Sequence, residues 1–115
     1  MDTNMKTKIR EIKQYTEHEI KVFLSVKCPH IASYFKKILD TINNLENLAN
    51  KQPLTHETLP AYKRALAEIE SHYKKLNTFG QDFQDRINVY KNFQSTIEQN
   101  MAVIIYKHNQ QRYVI

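Results

Sequence analysis

Apolar side chains recur at alternating spacings of three and four through the second half of the chain. They run Leu59, Tyr62, Leu66, Ile69, Tyr73 and Leu76, then Gly80, Phe83, Ile87 and Tyr90, then Gln94, Ile97, Met101 and Ile104. That period marks one face of an α-helix and persists for up to about 50 residues, so it predicts one long amphipathic helix or two in line. The first half carries a matching stripe. Met5, Ile9, Ile12, Tyr15, Ile20, Phe23, Leu24 and Val26 occupy a segment over 4–27, and Ile31, Phe35, Ile38, Ile42, Leu45 and Ala49 continue it. Each stripe needs a partner surface, and each half offers one to the other.

Three places interrupt the pattern. Pro29 lacks a backbone donor and clashes with the preceding turn, so a helix through Cys28-Pro29 either kinks or stops. The register Ile20, Leu24, Cys28, Ile31, Phe35 survives across it, which favours one kinked helix over two helices meeting at a corner. Residues 50–58 form a loop: Asn50 ends a helix, Pro53 blocks its continuation, and Thr55 or Thr58 can cap the next. Gly80 is the third weak point. Because Leu76, Gly80 and Phe83 stay in phase, a continuous or gently bent helix is expected there, with a third loop and four shorter helices as the competing arrangement.

The predicted fold is therefore all-α, a single helical domain over 1–115. Its two antiparallel arms cover about 4–50 and 59–112, with kinks near Pro29 and Gly80. The wide apolar sets Phe23/Leu24, Phe35/Ile38/Leu39 and Phe79/Phe83 exceed what one neighbouring helix covers. Either a second copy completes a four-helix bundle as a homodimer, or both kinks are true turns and one chain completes it alone.

Composition agrees with helices. One Gly, three Pro and no Asn-Gly or Asp-Gly leave little material for the tight turns of a sheet. No apolar run reaches the roughly 18–20 residues of a membrane span. The polar opening Met-Asp-Thr-Asn-Met-Lys is unlike a secretory signal. The single cysteine, Cys28, excludes an intrachain disulfide, and a cytoplasmic location is expected. Net charge is +5 and uneven, with +4 in residues 1–39, −2 in 40–70 and +3 in 71–115.

Chemistry is sparse. The five histidines, His18, His30, His56, His72 and His108, form no His-x-x-x-His pair, and there is no Cys-x-x-Cys. Cys28 and His30 are the one local pairing, either as a soft-metal pair or a nucleophile with its base, but no glycine-rich backbone stands beside them. One glycine rules out every glycine-rich phosphate loop. The carboxylate pairs Glu68/Glu70 and Asp82/Asp85 fall on polar helix faces. No cofactor is called for, and a non-enzymatic protein is expected.

The expected role is a helical protein–protein interaction module, such as an adaptor or scaffold, engaging a protein partner or a second copy of itself. Its size and helix-only design resemble small cytoplasmic chaperones and adaptors of bacterial secretion systems, a likeness of architecture with no motif behind it. Residues 101–106 are apolar all round, so Met101, Val103, Ile104, Ile105 and Tyr106 are the expected partner contacts, with Phe79 and Phe83 as further candidates. The alternative is a basic helical protein binding nucleic acid. Lys6, Arg10 and Lys13 share a helix face suited to phosphate, although Glu17 follows in phase with them.

Overall fold

Pro29 starts a new helix rather than bending an old one. The computed structural model describes residues 2–113, and the side chains of residues 4–110. Helix α1 spans Asp2–Ser25 and α2 spans Pro29–Lys51. Between them Lys27 adopts a left-handed conformation, φ 62°. The Lys27 amide donates to Leu24 O at 3.1 Å and the Cys28 amide to Phe23 O at 2.7 Å, which satisfies two of the last carbonyls of α1. Proline then fills the first position of α2, where an N–H would have no helical partner and φ is already suitable.

This corrects the expectation of a kinked continuous arm over 4–50. Phe23 and Phe35 stack with ring centroids 5.6 Å apart, whereas twelve residues of unbroken helix would separate them by about 18 Å. The apolar register held across Pro29 because it records which face is buried. It carries no information about the sign of φ at one linking residue.

The chain reverses again at Gly80. Helix α3 spans Leu59–Tyr73, two 3₁₀ turns follow at Lys74–Phe79 and Gln81–Phe83, and α4 spans Gln84–Tyr113. Gly80 sits between the turns at φ 116°, ψ 170°, a region that only glycine occupies without strain. Among the described residues, none beyond its chain neighbours comes within 4 Å of where its β-carbon would be, so conformation rather than crowding demands glycine. The expected bend is a true turn. Tyr73 and Tyr90 stack at 5.7 Å, where an unbroken helix would hold them about 25 Å apart.

The remaining link, 52–58, is where the sequence placed its loop. Thr58 occupies the N-cap position of α3, but its hydroxyl donates to Pro53 O at 2.8 Å and caps no amide of that helix. The Thr55 amide donates to the Thr58 hydroxyl at 2.9 Å, and the Tyr62 hydroxyl donates to Gln52 O at 2.6 Å. The loop is thereby pinned to the helix it precedes.

The fold is all-α, and among the described residues there is no strand. Short links make sequential helices antiparallel neighbours, so the topology runs up, down, up, down. Helix α1 packs on α2 and α4, and α3 packs on α2 and α4, which leaves α1 diagonal to α3. The bundle measures 61 × 27 × 19 Å. Ala32, Phe35, Ile38, Ile42 and Leu45 of α2 are completely buried, as are Tyr62, Ile69, Tyr90 and Ile97 of the second hairpin. Each large aliphatic or aromatic group so covered contributes about 1.5–3 kcal/mol relative to exposure. Every helix has two neighbours within the chain, which accounts for the width of the apolar stripes without a second copy. Leu24 and Val26 are the exceptions, turned outward at the α1–α2 corner. No helix among the described residues is long and apolar enough to cross a membrane.

Candidate interaction surface

The interior of the α1–α4 seam is unusually polar, and it fixes how α4 presents its outer side. Thr16, fully buried, directs its hydroxyl proton to Ile12 O at 2.8 Å, so the Tyr90 hydroxyl, 2.8 Å away, donates to it. Tyr90 is flanked edge-on by Tyr15 and face-on by Tyr73. The Tyr73 hydroxyl donates to Gln94, and Gln94 Nε2 donates to Glu70 at 2.8 Å. One turn from Thr16, the buried carboxylate of Glu19 accepts from Arg86 Nε at 3.1 Å. The Arg86 guanidinium in turn lies over both Phe23 and Phe83.

This network holds protons rather than moving them. Burial, with Glu19 adding to it, pushes the Tyr15 phenol up to about 12. Burial also pushes Tyr73 up to about 12, helped by Glu70 and Glu98, and raises Tyr90 as well. Phenols shifted in that direction stay neutral at physiological pH and serve as hydrogen-bonding posts, not as bases. The Glu70 carboxyl is lowered, first by the Gln94 hydrogen bond and then by Lys74.

Grooves run along both sides of α4. Between α1 and α4 the walls are Ile12, Tyr15, Val89 and Phe93, with Lys8 and Glu11 at the rim. Between α3 and α4 they are Leu66, Ala67, Met101, Ala102 and Ile105, with Lys63, Glu70 and Glu98 at the rim. The exposed residues of the ridge between the grooves include Asn88, Lys91, Asn92, Ser95, Glu98, Gln99, Ala102, Val103 and Tyr106. Residues 92–106 contain one charged side chain, Glu98, in a chain that is 25% charged. Surface helices are normally richer in charge, so this stretch is a compositional gap on an exposed face.

The expected partner contacts divide between core and surface. Tyr106, 64% exposed, stands on the ridge near the end of α4, with Val103 and Ile105, each 37% exposed, on its opposite flanks and Ile105 in the α3–α4 groove. Met101 is buried and Ile104 packs against the core, so neither stands free on that surface. Ile104 lies beside Leu54 of the 52–58 loop, where His56 and His108 stack with centroids 3.6 Å apart. Phe79 and Phe83 sit at the opposite end of α4, about 30 Å from Val103 along the helix. Phe83 is buried against Phe23, while Phe79 packs half-buried among His30, Tyr34 and Phe83. They do not join the C-terminal patch.

Nor does the expected phosphate trio act together. Lys6 and Arg10 are exposed, but Lys13 is 2.9 Å from Glu46, whose carboxylate shares a shallow niche with the other two. Cys28 is half-buried with Sγ 3.8 Å from Val26 O, and the ring of His30 is committed to Phe79. Among the described residues no three His, Cys, Asp or Glu side chains converge as metal ligands.

Apolar periodicity found the patch at 101–106 but missed the charge-poor ridge that leads to it. A count of charges along the helix would have found it. No protein-family model, curated protein or solved structure matches this chain.

Proposed function

We propose that this chain is a non-catalytic helical interaction module that binds protein through the outward side of α4. The observation that carries this reading is the coincidence of a charge-poor exposed helix, residues 92–106, with exposed Val103, Ile105 and Tyr106. Protein interfaces are depleted in charge at their centres and enriched in tyrosine, and exposed apolar groups such as these mark contact sites. The polar network behind α4 supports the same role, because it ties that helix to both α1 and α3. The reading places the protein in the cytoplasm, where a half-buried thiol such as Cys28 stays reduced. An adaptor or chaperone-like scaffold fits this description best.

The test is a displayed library of amphipathic helical peptides selected against the immobilised full chain. Enrichment of sequences with one apolar face, lost on Val103→Asp or Tyr106→Glu, supports the proposal. Absence of enrichment, or binding indifferent to both substitutions, argues against it. Both positions are exposed, so helical circular dichroism should be unchanged in either variant.

A further inference from the structure

We propose that the occupant of the α4 ridge is a second copy of this chain, its own α4 lying antiparallel across a two-fold axis near Ser95. The inference rests on the reading of α4 as a binding side and names the partner. With Ser95 at the centre of the outward face and about 100° per residue, Asn88, Lys91, Asn92, Glu98, Gln99, Ala102 and Tyr106 fall within about 60° of that centre.

Two of these residues set the pairing. Lys91 and Glu98 are exposed, opposite in sign and seven residues apart. Neither is in a salt bridge among the described residues. Both lean toward the α3 edge, since Lys91 acts electrostatically on Glu70 and Glu98 lines the α3–α4 groove. In an antiparallel two-fold pair, a residue on one side of the axis meets the residue equally far on the other side. The midpoint between 91 and 98 falls at 94–95, so Lys91 of each copy meets Glu98 of the other, and the contact forms twice. A parallel pair would set Lys91 on Lys91.

The remaining surface permits this approach. Ser95 and Ala102 are small, which allows two helices to come close near the axis. Asn88, Asn92 and Gln99 are uncharged and can hydrogen-bond to one another across the pair. A chain of net charge +5 repels its own copy over most of its surface, and a nearly charge-free ridge escapes that penalty. The strip from Gln84 to Tyr106, about 33 Å long and roughly 20 Å wide with its groove rims, offers on the order of 700 Å² per copy, close to what a stable interface uses.

Equilibrium sedimentation of the full chain tests the proposal. The expected result is a concentration-dependent dimer, weakened about tenfold by Lys91→Glu or by Glu98→Lys and restored in the double variant, where the charges are exchanged. Ser95→Arg, which places bulk and charge at the axis, should abolish the dimer while helical circular dichroism stays unchanged. A chain that remains monomeric, a dimer indifferent to these changes, or a double variant no better than the singles would overturn the proposal. Peptide binding by a chain that stays monomeric would overturn the self-association and leave the interaction-module reading standing.

Discussion

Arg86 and Glu19 lie on helices that start 82 residues apart in the chain, yet the guanidinium Nε is 3.1 Å from the carboxylate. Glu19 is 7% exposed, and the guanidinium is covered on two sides by Phe23 and Phe83. Truncating one member leaves the other buried and uncompensated, which costs more than the pair itself contributes. Arg86→Ala should therefore destabilise the bundle by about 2–3 kcal/mol in urea denaturation, with Arg86 partly solvated and so short of the full buried-pair penalty. Replacing both, as Glu19→Gln with Arg86→Met, should recover part of that loss. A single variant within a few tenths of a kcal/mol of the parent would mean the pair is not clasping α1 to α4.

Lys27 holds a left-handed backbone that costs an L-residue about 1 kcal/mol. Lys27→Gly relieves it at an exposed position, although the added freedom of the unfolded chain offsets some of the gain. A net stabilisation of up to about 1 kcal/mol is expected in thermal and denaturant unfolding. A loss of stability would show that the lysine side chain contributes something its backbone strain conceals.

Gly80 gives the opposite sign. Its φ of 116° with ψ of 170° lies where a β-carbon is strained even in open space. Gly80→Ala should cost about 1–3 kcal/mol and loosen the turn, read as faster amide exchange around 77–83. Unchanged stability would mean the link relaxes to a second conformation at little cost.

The buried phenols set an alkaline limit. Burial raises Tyr73 and Tyr15 to about 12 from an ordinary value of 10, so the folded state holds these protons more tightly than the unfolded chain. The stabilisation is complete below pH 10 and is lost as pH climbs through about 12. Tyr73→Phe removes one ionising phenol together with its hydrogen bond to Gln94. It should be less stable than the parent at neutral pH, with the gap narrowing above pH 10. Parallel denaturation midpoints from pH 7 to 11.5 would contradict this.

Much of this bundle is legible in the order of its residues. Period and composition mark the helices, Pro53 marks the loop, and the seam positions Tyr62, Tyr73, Tyr90 and Ile97 are all buried. The two corners were misread for different physical reasons. At Lys27 no glycine signals the left-handed cap. At Gly80 a glycine is present, but its in-phase neighbours mimic an uninterrupted stripe. The Glu19–Arg86 clasp is not visible in sequence at all, since it joins residues 67 apart through a fold that must be known first. On α4, hydrophobicity pointed to Met101 and Ile104, which the core claims, and to Val103, Ile105 and Tyr106, which are exposed, while the scarcity of charge between 92 and 106, where Glu98 stands alone, is the signal that it passed over.

The helical hairpins α1–α2 and α3–α4, and the α2–α3 corner between them, join elements consecutive in the chain. Only the seam between the first and last helices must wait for distant residues to arrive, and that seam is the one furnished with Thr16, Glu19, Tyr15 and Tyr90. A chain still emerging from the ribosome can assemble three helices while the unfinished edge of α1 shows water hydroxyls and a carboxylate amid its grease. The last joint to close is thus built from groups that tolerate being left open, which guards the half-made bundle against clumping during its most vulnerable interval.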